Sequence, residues 1–426
     1  MKNVKPKLFE MRTIFLLLGL FLFHPIFSQE IAHFTLYLDK SYLDTPVSII
    51  LDNTNKYNFT DKEIVLYEIS NNKEIYVPSQ LETGNRPILW FIPNNVSGAK
   101  TARNFVVKLT DTDQSETANE QFQMKKSGGN LTIYKDAKPV LSYRYRAMYP
   151  PEGVDPLYER SGFIHPLYSP KGEVLTRVQA PDHYHHYGIW GPWTLTHIDD
   201  REVDFWNLAK GQGTVKFNSF LSEVSGDVYS GFKVLQQHID FGNKGEDQIA
   251  INEVLEVRVW HVDEKVWIVD YTTTINSPLP NGIVFDAYRY GGGIGFRATE
   301  KWEKNNSTVL TSEGKTRVDA DGSRARWCIV EGETDVEDKR SGILFMSHPF
   351  NQQHPEPMRV WPMDANGGRG DLYFEFVPIR HEPWIIKPHR DYALSYRMVV
   401  FDGELDKDTA EAYWNSFANT PKTEIK

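Results

Sequence analysis

The segment Pro181-Asp182-His183-Tyr184-His185-His186-Tyr187-Gly188-Ile189-Trp190-Gly191-Pro192-Trp193 concentrates side chains that move protons and bind metals. With His165 and His197 it places five histidines within 33 residues. Imidazole titrates near neutrality, and a phenol can exchange protons when a cation lies beside it. If 183–187 is extended, His183, His185 and Tyr187 face one way and Tyr184 and His186 the other. His183 and His185 would then form a chelating pair for a divalent metal ion. A third ligand would have to come from another strand, with His348, His354 or Asp204 as candidates. The same groups could instead serve as acid and base. A single histidine more often satisfies a buried hydrogen bond, but this density favours chemistry.

Other clusters have a similar character. Tyr288-Arg289-Tyr290-Gly291-Gly292-Gly293 puts an arginine between tyrosines, beside backbone that can approach a ligand closely. Ser347-His348-Pro349-Phe350-Asn351 and the run from His354 to Pro357 read as a rigid binding rim, followed by Trp361. Trp190, Trp193, Trp206, Trp302, Trp361 and Trp384 offer flat faces that suit the C–H face of a sugar ring, though most of the tryptophans should be core. The expected catalytic set is His165, His183, Tyr184, His185, His186 and Arg289. The expected substrate contacts are Trp190, Trp193, Tyr288, Tyr290, His348, Asn351 and Trp361. No Gly-x-Ser-x-Gly or His-Glu-x-x-His is present. The glycines at 291–295 lack the dinucleotide spacing, and Val309 stands where a phosphate loop ending at Thr316 needs glycine.

These groups must be positioned by strands. Segments 31–38, 63–69, 105–109, 248–260, 265–274 and 392–401 are short, rich in Val, Ile, Tyr, Phe and Thr, and punctuated by Gly, Asn, Asp and Pro, such as the cluster at 242–245. The pattern predicts an all-β, antiparallel protein with one helix, capped by Asp406 or Thr409 and running through Phe417. Eleven of thirteen histidines and ten of eleven tryptophans lie at or after residue 165, so the chemistry belongs to the second part. Residues 29–125 have the texture of an immunoglobulin-like sandwich of about seven strands, and 126–426 that of one large β-sandwich. Polar residues 111–119 read as a linker or an exposed turn.

Of 426 residues, one is cysteine, which excludes a disulfide framework and any multi-thiolate zinc site. With 47 Lys+Arg against 57 Asp+Glu, nucleic acid is a poor partner. Residues 14–23 carry no polar side chain and follow Lys2, Lys5, Lys7 and Arg12. Ten residues are too few to cross about 30 Å of hydrocarbon but match a signal peptide, here 1–28, with Met11 as an alternative start. Its removal leaves 43 basic against 56 acidic residues. Nothing later reaches membrane-spanning length, so the expectation is a periplasmic or secreted protein.

Ser161-Gly162-Phe163-Ile164-His165-Pro166-Leu167, Leu175-Thr176, Asp182-His183-Tyr184-His185-His186-Tyr187-Gly188-Ile189-Trp190, Asp204-Phe205-Trp206 and Arg289-Tyr290-Gly291-Gly292 resemble the PmoA-like family over about residues 130–410. The resemblance implies a supersandwich-like fold and an exported protein of a polysaccharide-degrading bacterium. One branch looks like the oligosaccharide dehydratases of ulvan breakdown. Eliminating water across C4 and C5 of a terminal uronic acid needs a base, an acid and a charge to neutralise the carboxylate. The histidine, tyrosine and arginine clusters provide these, whereas a glycosidase needs two placed carboxylates, which those segments scarcely offer. The expected activity is therefore that of a carbon–oxygen lyase on uronate-containing oligosaccharides. Glycoside hydrolysis and non-catalytic glycan binding are the alternatives.

Overall fold

In the computed structural model, residues 28–51, 62–84, 86–94, 100–111, 122–242, 246–262, 265–335 and 339–426 are described. All but the last residue of the expected leader at 1–28, most of the polar stretch at 111–119 and part of the turn at 242–245 lie outside them. The protein is all-β and antiparallel, as the strand pattern implies.

An eight-stranded sheet runs in the order Gly213–Ser225, Tyr229–Asp240, Gln248–Trp260, Val266–Asn276, Tyr392–Asp402, Arg340–Ser347, Trp327–Glu333 and Ser307–Thr311. Its central strands alternate buried and half-buried residues with the period of two that one covered face imposes. A nine-stranded sheet faces it, ordered Arg324–Ala325, Glu356–Val360, Tyr373–Phe376, Ile294–Arg297, Ile189–Trp190, Phe163–Leu167, Lys138–Arg144, Asn130–Lys135 and Phe122–Ser127. Val234, Leu255, Val269, Phe345 and Met398 from the first sheet meet Leu141, Ile189, Ile294 and Phe374 from the second in one continuous core. Each such side chain contributes about 1.5–3 kcal/mol on burial, so this sandwich is the rigid body that carries the rest.

The other face of the eight-stranded sheet is covered by the predicted helix, Lys407–Ala418, which packs Tyr413 and Phe417 on Trp260, Trp327 and Val399. Asp406 caps it by accepting from the Thr409 N–H at 2.7 Å. The described residues between 29 and 111 form a smaller two-sheet sandwich with its own core of Phe34, Leu36, Leu66, Leu89, Phe91 and Phe105. Two details depart from a division at 125/126. Phe122–Ser127 already belongs to the nine-stranded sheet, and Lys422–Ile425 returns to pair with Gln29–Leu38.

Candidate functional site

On the outer face of the nine-stranded sheet, Phe163, Tyr187, Trp190, Trp206, Leu208, Trp361 and Tyr373 form a separate aromatic core. Over it lies a hairpin of Val178–Ala180 and His183–Tyr187. The chain leaves this hairpin through Gly188, at φ +66°, where a Cβ would sit 2.4 Å from the Ile164 carbonyl oxygen. Only glycine fits that turn into Ile189–Trp190.

The hairpin departs from strict alternation. Val178 pairs with Tyr187 but Ala180 pairs with His183, so the single residue Gln179 opposes Tyr184, His185 and His186. Such a bulge breaks the parity of a regular strand. His186 therefore joins His183 and His185 instead of facing away, and one nitrogen of each imidazole lies within 4.8 Å of the others. These are the residues that could hold a metal ion. The third imidazole comes from the same strand and not from the candidates His348, His354 or Asp204.

Aromatic rings wall the cluster. His186 stacks on Trp206 at 5.7 Å and lies 5.0 Å from Tyr373, and His183 lies 4.8 Å from Trp361. The indole N–H of Trp206 donates to the His185 carbonyl at 3.0 Å. Burial lowers His185 to a pKa of about 4, helped by His183, and takes His186 well below the ordinary histidine value. Both are neutral at pH 7. His183, with a third of its side chain exposed, is the open side of the cluster.

Behind the imidazoles runs a charged relay. His183 Nδ1 and Asp182 Oδ2 are 2.7 Å apart, and Arg297 Nη2 donates to Asp182 at 2.8 Å and to Asp371 at 2.7 Å. Burial alone would raise the Asp182 pKa, but His183 and Arg297 outweigh it and hold the carboxyl below the usual carboxylate range. The Arg297 guanidinium lies 4.6 Å from the Trp361 ring and keeps Nη1 buried without a partner, as do Trp190 Nε1 and His186 Nδ1. Arg297, Asp371, Tyr373 and Tyr158 were not singled out from sequence. No local motif marks them, because they reach the site through register, as Arg297 does opposite Tyr373.

The remaining expected residues separate. Tyr290 meets Trp206 edge-on at 5.3 Å, and its oxygen accepts from Arg359 Nη2 at 3.2 Å. Tyr288 lies 5.7 Å beyond Tyr290. Arg289 is exposed and caps the Tyr290 ring, and the arginine tied to the cluster, through Asp182, is Arg297. Tyr184 packs on Tyr158 at 5.5 Å. Trp190 belongs to the wall, 5.5 Å from His186. His165 bonds Thr176 at 2.9 Å and stays outside the imidazole cluster, its pKa lowered to about 4 by burial.

Trp193 is not a sugar platform. It is 1% exposed and stacks on Phe285 at 4.4 Å within the main core. His348 and Asn351 sit against the C-terminal helix region instead of the cluster. His348 packs on Phe417, and Asn351 is consumed by Glu356 and by Ser395, to whose backbone it bonds from both ends. Asp204 accepts from Thr194, Trp206 and Asn207 and so anchors the loop that carries Trp206.

A family model, described as a family of unknown function (DUF6807), matches residues 130–415, and the chain belongs to that family. The match spans the large sandwich and the hairpin. Among solved structures, the chain is similar to a GalM/aldose epimerase homologue from C. elegans at 9% identity, covering 67% of this chain and 99% of that one, with a TM-score of 0.29. It is also similar to a TPR-domain containing protein from Parabacteroides distasonis at 10% identity, covering 90% of this chain and 56% of that one, with a TM-score of 0.21. No curated protein matches the chain.

Proposed function

We propose that the protein is an exported carbon–oxygen lyase, akin to the PmoA-like proteins and their ulvan oligosaccharide dehydratase branch, that removes water from the terminal uronic acid of oligosaccharides. The observation that carries this reading is the convergence of His183, His185 and His186 near Arg297, walled by aromatic rings.

In the reaction the C5–H and C4–O bonds break, a C4=C5 double bond forms and water leaves. The carboxylate must be neutralised so that C5 can lose its proton. The guanidinium of Arg297, behind Asp182, adds positive charge for it, and the imidazole cluster frames the place where it sits. The C5 proton passes to the ionised oxygen of Tyr184, Tyr290 gives its proton to the departing C4 hydroxyl, which leaves as water, and exchange with solvent restores both phenols. Because Arg359 donates to the Tyr290 oxygen, the Tyr290 O–H is left for the departing hydroxyl. Trp361 and Trp206, 5% and 3% exposed, back the imidazoles and hold them in place. No helix of the described residues is long and apolar enough to cross a membrane, which fits an exported protein acting on a polymer's fragments.

The test is incubation of the full-length protein with oligosaccharides ending in uronic acid. Dehydration gives the ultraviolet absorbance of a conjugated enoate and a mass loss of one water. A new reducing end in its place, or sugar binding with neither change, overturns the proposal in favour of a hydrolase or a glycan-binding protein.

A further inference from the structure

We infer that His183, His185 and His186 bind one divalent transition-metal ion, zinc or a zinc-like ion, through one nitrogen each, with a remaining position open to an anionic oxygen of the ligand. Identification of that oxygen as a uronate carboxylate rests on the function proposed above; the metal site itself does not.

Four observations carry it. The imidazole centroids lie 4.7, 4.9 and 5.4 Å apart, and one nitrogen of each lies within 4.8 Å of the others. A tetrahedral zinc at about 2.0–2.1 Å holds its nitrogens about 3.4 Å apart, so side-chain rotations of about an ångström close the set. His186 is 1% exposed, yet its Nδ1 has no hydrogen-bond partner. Among the described residues, neither His185 nor His186 forms a ring hydrogen bond, although buried polar atoms are normally paired. A metal ion is the partner that three convergent nitrogen lone pairs can share. His183 differs in the way a ligand should, with Nδ1 held by Asp182 at 2.7 Å so that Nε2 is oriented and free. A carboxylate behind a ligating imidazole is the usual outer partner of a metal-bound histidine.

The donor set narrows the ion. Three neutral nitrogens without thiolate suit zinc, nickel, copper or iron, whereas magnesium and calcium prefer oxygen. Cys328, the chain's one thiol, is buried on the eight-stranded sheet and takes no part. Three protein ligands, instead of four, leave the vacancy typical of catalytic ions. Arg297 adds a second cation on the far side of Asp182, so the exchangeable ligand should be an anion. The bulge at Gln179 is what makes the site, since a regular strand would turn His186 away.

The full-length protein, stripped with a chelator and freed of any affinity tag, is titrated with Zn²⁺ by calorimetry and with Co²⁺ by visible absorption. The expected result is one equivalent per chain and the strong visible bands of low-coordinate Co²⁺. Asp182→Asn, a change to a positioning residue, should weaken Zn²⁺ binding by about 10–100-fold with the circular dichroism unchanged. His186→Ala should weaken it further; should that variant not fold, His183→Ala at the more exposed position gives the same readout. Wild-type protein that takes up far less than one equivalent, or binding that survives loss of any of the three histidines, overturns the site. Dehydration by a protein that takes up no Zn²⁺ would overturn the metal centre and leave the lyase standing. One bound ion without dehydration would do the reverse.

Discussion

Asp182 and Arg297, 115 positions apart in the chain, meet at 2.8 Å, and the same guanidinium nitrogen reaches Asp371 at 2.7 Å. Arg297 is 1% exposed and Asp371 2%. Removing the arginine would take the buried cation from Asp371 and leave it the more exposed Arg369 and the amide of Asn366. Arg297→Met is therefore expected to lower unfolding stability by about 3–5 kcal/mol, measured by urea denaturation. Adding Asp371→Asn should recover part of that loss, and additive losses would refute the pairing.

His185 lies in the imidazole cluster and His165 does not. His185→Ala should reduce dehydration by at least about 100-fold, while His165→Ala, which loses the bond to Thr176, should keep kcat within a few fold. Equal losses in the two variants would displace the site from the hairpin.

Tyr290→Phe removes only the phenolic oxygen that Arg359 holds. The expected outcome is a fall in kcat of about 10²–10⁴-fold with KM little changed. A change confined to KM would make Tyr290 a binding residue.

Two tryptophans that look alike in the sequence should behave differently. Trp193→Ala opens a hole against Phe285 and Trp384 and is expected to cost about 3–5 kcal/mol of stability. Trp361→Ala should instead weaken sugar binding and loosen Arg297, whose guanidinium it covers at 4.6 Å. Thermal melts and binding titrations of both variants check the contrast.

Glu356 sets part of the pH dependence of stability. Burial raises its pKa from 4.5 to about 7, against the opposing hydrogen bonds of Ser347, Asn351 and Tyr396. Below the unfolded value both states hold the proton and the full contribution is present. As pH rises towards 7, the unfolded chain releases its proton while the native state must retain it, so stability falls by about 3 kcal/mol and then levels off. Glu356→Gln keeps the three hydrogen-bonding groups satisfied and should flatten this part of the profile in urea melts between pH 4 and 8. An unchanged slope would contradict it.

The long strands and the terminal helix were legible because each carries its own signal: alternation in 248–260, and Asp406 before an amphipathic run in 407–418. His183, His185 and His186 were legible as residue types but not as a set. Their convergence depends on Gln179 in the opposite strand, whose positive φ of 44° no local pattern announces. Arg297 was missed because a buried arginine two residues beyond a glycine-rich turn looks like an ordinary strand end. Trp193 and Trp361 could not be told apart by composition, since an indole packs equally well in a core or beside a ligand. Asn351 and His348 looked like a rim because loop asparagine and histidine are usual at binding sites, but the partners that occupy them include Ser395 and Phe417, far away in sequence.

Lys422–Ile425 zips onto Gln29–Leu38, matching Phe34 with Ile425 and Tyr37 with Lys422. The strand Gln29–Leu38 of the small sandwich thus waits, during synthesis, for a segment that follows the whole large sandwich in the chain. Until that segment appears, the strand has an unguarded edge of free amides and carbonyls. Folding should therefore finish with the small sandwich, once Lys422–Ile425 closes its open edge like a clasp.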